Sequence, residues 1–318
     1  LETAIENYQQ AVQINPNHAS SYLNMGTALK NKGDVEAAID SFKQALKINP
    51  DFAEAYYNMG IVLNDKGDLE AAIDSYQKAI KIKPDFAEAY YNMGNALKGK
   101  GDNGAAIESY QQALKINPDY ADAYNSIGSA LGHQGDLEGA INSIKQALKI
   151  KPNFAEAYNN MGIVLEEKGD LDAAIDSYKQ ALKVDPDYVN AYNNMGNALQ
   201  TKGDVETAFN IYKRAIEMKP DDVKAWNNLI FPLRAMKLKI PSVQDLLSKI
   251  NPESGSKDVQ IAKAILSFSL HKGEGYAENT LNEACKLLSK ADNRIIKNPE
   301  VTTKESLPQI IGPIKTVA

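Results

Sequence analysis

Among the 318 residues there is one cysteine, Cys285, one tryptophan, Trp226, and three histidines, His18, His133 and His271. A single cysteine excludes an internal disulfide and gives no sign of an oxidising compartment. It stands in the apolar pattern Ala284-Cys285-Lys286-Leu287-Leu288, where a buried thiol is expected. The histidines are far apart, and no Cys/His cluster has metal-ligand spacing, so no metal is expected. No apolar run approaches the roughly 20 residues of a membrane helix, so no membrane insertion is expected either. Basic residues are outnumbered, 35 Lys+Arg against 41 Asp+Glu, and the acidic excess lies in residues 1–222. Nucleic acid is therefore not an expected partner, because its binders present a basic stripe.

Catalytic motifs are also lacking. There is no nucleophile elbow and no phosphate loop ending in Gly-Lys-Ser/Thr. One string, Gly99-Lys100-Gly101-Asp102-Asn103-Gly104, matches a dinucleotide fingerprint by letter. That fingerprint needs a preceding strand, and the pattern before Gly99 is helical. The many Asp residues build no 12-residue calcium loop and fit helix caps better. His133, where other repeats carry Asp65 or Glu167, is expected to be solvated. No catalytic residue and no cofactor are expected in this chain, so no enzyme is expected within it.

What is present is repetition. Pro16, Pro50, Pro84, Pro118, Pro152, Pro186 and Pro220 are spaced by 34 residues. Gly67-Asp68 recurs at the same period as Gly33-Asp34, Gly101-Asp102, Gly135-Asp136, Gly169-Asp170 and Gly203-Asp204. A third marker, Gly60, recurs as Gly26, Gly94, Gly128, Gly162 and Gly196. Three independent markers on one period define an internal repeat.

With Ala53 as position 1, apolar or small residues fall at positions 4, 7, 8 and 11, here Tyr56, Met59, Gly60 and Leu63. This spacing predicts a first helix, A. Gly67 supplies a left-handed stop and Asp68 a cap for a second helix, B, expected to bury Leu69, Ala72, Ile73, Tyr76, Ala79 and Ile80. Pro84 ends the unit. One such hairpin cannot bury its apolar face alone, so neighbours must stack.

The pattern, aromatic at 4, Gly at 8, Ala at 20, Tyr or Phe at 24, Ala at 27 and Pro at 32, resembles the tetratricopeptide repeat. It covers residues 1–222 as a half repeat and six full ones starting at 19, 53, 87, 121, 155 and 189. The resemblance implies an all-α, right-handed α-solenoid, or superhelix, of antiparallel helical hairpins. It also implies a concave face of A helices that holds peptides. A seventh repeat opens at Val223 and departs from the pattern at Ile230 and Pro232. Residues 223–290 are expected to be this degenerate repeat and capping helices (242–250, 257–271 and 274–290), and 291–318 a linker or tail. The start within a repeat, without an initiator Met, gives the expectation of a piece of a longer protein. A cytoplasmic location is expected; oligomeric state has no signal in the sequence.

Positions 2, 6, 9 and 13 make a helical stripe that this packing leaves open, with 5 and 12 beside it. Position 6 is Asn24, Asn58, Asn92, Asn160, Asn194 and Asn228, with Ser126 the exception. Asn costs roughly half a kcal/mol relative to Ala inside a helix, so its recurrence needs a cause. Stacked helices lie about 10 Å apart. An extended chain covers that distance in about three residues at ~3.3 Å each. One carboxamide per three residues can donate to and accept from a peptide backbone. A similar asparagine ladder occurs in the superhelix of O-linked N-acetylglucosamine transferases, whose repeats these also resemble. Passive copying of recently duplicated repeats is the alternative. Divergence at position 9 (Thr27, Ile61, Asn95, Ser129) and at position 12 (Lys30, Asn64, Lys98, Gly132) weighs against it. Position 2 is acidic as Glu54, Glu88, Asp122 and Glu156, and Tyr57 and Tyr91 at position 5 offer stacking or apolar contact. The expected partner is therefore a protein segment in extended conformation, neutral to basic. The rival expectation is that the array serves as the substrate-recognition region of a larger glycosyltransferase or sulfotransferase.

Overall fold

The structure, a computed structural model, describes residues 1–219 and positions 222, 224, 225, 228, 229 and 232. The expected capping helices, Cys285, His271 and the tail from Ala291 lie outside the described residues. Thirteen helices and no strand are found among the described residues. A lone B helix, α1 (Glu2–Ile14), precedes the hairpins α2 (Ala19–Lys32) with α3 (Val35–Ile48) and α4 (Ala53–Lys66) with α5 (Leu69–Ile82). Then come α6 (Ala87–Gly99) with α7 (Asn103–Ile116) and α8 (Ala121–His133) with α9 (Leu137–Ile150). Then follow α10 (Ala155–Glu167), α11 (Leu171–Val184) and the hairpin of α12 (Val189–Lys202) with α13 (Val205–Met218). Helical backbone is also found at 224, 225, 228, 229 and 232, Pro232 included.

Local chemistry places the helix ends. Gly33, Gly67, Gly101, Gly135, Gly169 and Gly203 all have φ between 83° and 91°, the left-handed region in which a Cβ is costly. The following Asp accepts a hydrogen bond from the backbone N–H three residues on, as Asp68 does from Ala71 at 3.2 Å and Asp102 from Ala105 at 3.0 Å. Gly101 of the dinucleotide-like string is thus the turn between α6 and α7, as its place in the repeat predicts.

Two compact units, residues 1–164 and 165–318, make up the chain. In the first, each helix from α1 to α8 packs on the next, and α2, α4, α6 and α8 touch in series. In the second, α11 packs on α12 and α12 on α13. Both are α-solenoid stacks of the expected hairpins.

Packing departs from the expected core on helix A. Tyr56, Met59 and Leu63 are only half-buried, whereas Ala55 and Val62, at positions 3 and 10, are 0% and 1% exposed. The reason lies in the preceding repeat. Ala89, at position 3, clusters with Ala79 and Phe86, and Ala96, at position 10, with Ala72 and Tyr76. Each A helix is therefore covered by the B helix before it as well as by its own. Helix B keeps Ala72, Tyr76 and Ala79 fully buried and leaves Leu69, Ile73 and Ile80 half-buried. The close approach within a hairpin depends on position 8. A Cβ added at Gly60 would stand 2.6 Å from Tyr76 Cε1, so no side chain fits there without displacing the ring.

Candidate functional site: the open face of the A helices

Position 6 keeps part of its surface in solvent on every described A helix. Asn24 is exposed, and Asn58, Asn92, Ser126 and Asn160 are half-buried in the first unit. Asn194 and Asn228 are half-buried in the second. Position 2 reaches further into solvent, and Glu54, Glu88 and Glu156 are all exposed.

These amides already have partners within the protein. Asn58 Nδ2 donates to the Glu54 carbonyl one turn back at 2.8 Å. Asn92 Nδ2 donates to the Tyr57 hydroxyl of the preceding repeat at 2.9 Å, and Asn160 Nδ2 to Asn125 Oδ1 at 3.0 Å. At Asn92 and Asn160, position 6 is thus tied to position 5 of the repeat before. Each bond uses one N–H, and a carboxamide has a second N–H and two oxygen lone pairs to offer.

Position 5 is more enclosed than the sequence indicates. The Tyr57 ring lies 4.6 Å from Phe86 and 6.1 Å from Tyr76, centroid to centroid. Tyr91 lies 4.9 Å from Tyr120 and 5.6 Å from Tyr110. Both rings are thus engaged by aromatics of their own repeat, on helix B and just after it. Burial, and then the nearby Glu88 charge, push the Tyr57 hydroxyl above the usual phenol range, against the bond from Asn92. In later repeats position 5 is Asn, and Asn125, Asn159 and Asn193 are 2%, 4% and 4% exposed. Asn125 Nδ2 donates to Glu156 Oε1 at 3.1 Å, so a position-2 carboxylate caps the pair. Asn193 Nδ2 donates to Asp222 Oδ2 at 2.7 Å.

Sequence reasoning missed Lys98. Its Nζ donates to Ser129 Oγ at 2.8 Å on the neighbouring A helix, and its side chain is half-buried. Burial holds the ammonium below the usual lysine range, although the Glu156 charge pulls the other way. The only advance signal was a Lys at position 12 opposite a run of small residues, Ser126, Ser129 and Gly132. Among the described residues no group of three or more His, Cys, Asp and Glu is arranged to hold a metal. No described helix is long and apolar enough to cross a membrane.

Thirteen helices on a 34-residue period, with this stacking, define a helical-repeat scaffold. The TPR repeat family model matches residues 1–33, 28–64, 62–101, 96–135, 130–169 and 165–203, and a tetratricopeptide repeat model matches 189–222. The chain belongs to the tetratricopeptide repeat family, a scaffold class of protein–protein interaction that is in general non-catalytic. Among solved structures it is similar to YrrB, described as a TPR protein with an unusual peptide-binding site. The two are 24% identical, with a TM-score of 0.50, over 59% of this chain and 96% of that one. It also resembles MamA, at 34% identity and a TM-score of 0.48, over 51% of this chain and 95% of the other. The Cut9-Hcn1 hetero-tetramer of the APC/C matches at 19% identity and a TM-score of 0.62, over 73% of this chain and 46% of that chain. No curated protein gives a match.

Proposed function

We propose that the open A-helix face binds an extended protein segment by hydrogen bonds to its backbone. Asn24, Asn58, Asn92 and Asn160 would read it on the first unit, and Asn194 and Asn228 on the second. One observation supports this most directly. The amides of Asn58, Asn92 and Asn160 are each fixed by one hydrogen bond and half-open to solvent at the same position of the A helices α4, α6 and α10. Such fixing removes rotamer freedom that a ligand would otherwise have to remove, and it leaves hydrogen-bonding capacity outward. Glu54, Glu88 and Glu156 rim this face and favour a neutral to basic segment. Tyr57 and Tyr91, half-buried against neighbouring rings, contribute the surface those rings leave open. That YrrB, of similar fold, is described as having a peptide-binding site shows that the fold can offer one. No observation favours the transferase alternative.

The test is a peptide library titrated against the array with Asn58, Asn92 and Asn160 changed to Ala. Circular dichroism would confirm that the helices persist. Affinity lost across the whole library, with little regard to side chain, is the expected result. Unchanged binding would remove the ladder.

A further inference from the structure

Glu166 differs from Glu54 and Glu156 in what answers its charge. Glu54 lies 3.7 Å from the Lys83 ammonium, and Glu156 accepts from Asn125 and acts on Lys98. Position 12, from Lys30 to Gln200, is acidic only at Glu166. This side chain is half-buried, and its recorded partner is a neutral phenol, the Tyr178 hydroxyl, which donates to Oε2 at 2.9 Å. The neighbouring charge that acts on it is another carboxylate, Glu167. Lys168 follows at position 14, from which Lys66, Lys100 and Lys202 reach back to the preceding B helix. Removing water from an anion without a cation beside it is costly, and burial accordingly holds the carboxyl above its usual range.

The surroundings offer further acceptors. Tyr110 and Tyr212 each donate to the position-9 asparagine of their own repeat, Asn95 at 2.8 Å and Asn197 at 2.6 Å. In the repeat of Tyr178 position 9 is Ile163, whose side chain accepts nothing, and the hydroxyl is spent on Glu166 instead. The Tyr212 hydroxyl also stands within the field of the Glu166 charge, but its proton goes to Asn197, so only its lone pairs remain to be used. Gln200 comes three residues after Asn197 and so shares its face of α12. Its Oε1 is buried and accepts no hydrogen bond among the described residues. A carboxylate has about four lone-pair sites, and Tyr178 fills one of them. Unspent acceptors on Glu166, Tyr212 and Gln200 thus accompany a charge without a counter-ion.

We infer that Glu166 takes one basic side chain of the bound segment, a lysine ammonium or an arginine guanidinium. The inference rests on the peptide-binding reading above. It turns a general leaning towards neutral or basic segments into one basic residue at one place on the second unit. Both cations bring several N–H donors together with a positive charge, which a backbone N–H does not. An ion pair partly shielded from water is stronger than one at the rim, where Glu54 and Glu88 are exposed. Because position 12 from Lys30 to Gln200 is acidic once, a second basic residue one repeat away gains nothing comparable. A single cation is therefore held in fixed register with the backbone contacts of Asn194.

The experiment uses fluorescein-labelled, amidated peptides of about nine residues on one uncharged background. Four are made, with lysine, its neutral isostere norleucine, arginine or its neutral isostere citrulline at the centre. Each is titrated by fluorescence anisotropy against the full chain as wild type, Glu166→Gln and Glu167→Gln, with thermal melts confirming folding. The wild type is expected to bind at least one basic peptide about tenfold more tightly than its isostere, the size of a charge-assisted hydrogen bond. The pair with the larger ratio tells an ammonium from a guanidinium. Glu166→Gln is expected to bind each basic peptide and its isostere equally. Glu167→Gln, which removes the same charge from the exposed neighbour, is expected to keep the preference. Equal binding within both pairs by the wild type overturns the cation site and leaves the ladder standing. A preference that survives Glu166→Gln, or that falls as far in Glu167→Gln, belongs to the general acidic field and overturns the role of Glu166. Failure of all four peptides to bind overturns both readings.

Discussion

Asn160 donates from Nδ2 to Oδ1 of Asn125 across 3.0 Å, and Asn125, 2% exposed, donates in turn to Glu156. Two side chains from neighbouring A helices thus share one buried amide. Asn125→Leu keeps the volume and removes both bonds. Asn160 and Glu156 are open enough to regain water, so the loss should lie near the low end for a broken buried pair, about 1 kcal/mol. Urea denaturation of Asn125→Leu, Asn160→Ala and the double variant should show a positive coupling between them. Additive single effects would mean that the 3.0 Å contact contributes nothing to repeat stacking.

Two glycines of one repeat are fixed by unrelated causes, and substitution separates them. Gly67 has φ 87° and nothing within 4 Å of an added Cβ, so the cost of Gly67→Ala is conformational, about 1–2 kcal/mol. Gly67→Asn should recover much of it, since Asn tolerates the left-handed region. Gly60 is helical, and an added Cβ meets Tyr76 at 2.6 Å. Gly60→Ala should cost about 1–3 kcal/mol through overpacking, and Gly60→Asn more. Thermal melts that rank Ala and Asn alike at both positions would contradict this assignment.

These positions also mark what a sequence shows. The turn glycines, the Asp caps and the terminating prolines act within a few residues, and the period repeats them, so helix ends from Gly33 to Asp204 are legible. Which flank of an A helix is covered depends on how one repeat lies on the last. Helix periodicity does not contain that angle. It is why Ala55 and Val62 form the deepest stripe, why Asn125 is enclosed, and why Lys98 loses water. The asparagine series was legible as a series, but its bonds to Tyr57 and Asn125 across the repeat junction were not.

Glu166 gives a pH dependence with a defined sign. Its carboxyl accepts from the Tyr178 hydroxyl at 2.9 Å and is half-buried. Burial raises it above the usual carboxylate range, the Tyr178 bond opposes this, and neighbouring Glu167 adds to it. A raised folded-state pKa contributes stability that is full below the unfolded value and is lost as pH rises through the folded one. Glu166→Gln keeps an acceptor for Tyr178 without the charge. It should therefore raise the thermal midpoint of the transition involving residues 165–318 at neutral pH. The gain should vanish below the ordinary glutamate range. A gain that is independent of pH would point to packing and not to charge.

Asp68 accepts from the Ala71 N–H at 3.2 Å, and its counterparts do the same at every described turn from Asp34 to Asp204. Asp68→Ala should cost about 1 kcal/mol, and Asp68→Ser should restore most of it. Denaturation midpoints of the two variants decide this. Equal losses would show that the carboxylate acts through its charge at the helix start and not as a hydrogen-bond acceptor.

The exposed ion pairs between repeats have a matched gap. Lys66 reaches Glu36 at 2.6 Å and Lys100 reaches Glu70 at 3.0 Å, in each case from the end of an A helix to the start of the preceding B helix. Lys202 pairs with Asp172 in the same relation. At the junction of α7 and α8 the two positions are Gly104 and Gln134, so both partners are missing together. Gly104→Glu alone should stabilise by about 0.5–1 kcal/mol, because it removes a glycine from the first turn of α7. It also places a negative charge at the helix N-terminus. Gln134→Lys alone should change little. The double variant should exceed the sum of the two at low ionic strength, and the excess should disappear near 1 M salt, where the screening length falls to about 3 Å. An excess that survives high salt would mean that the new side chains gain by packing, and the pairs at Lys66 and Lys100 would then need the same reinterpretation.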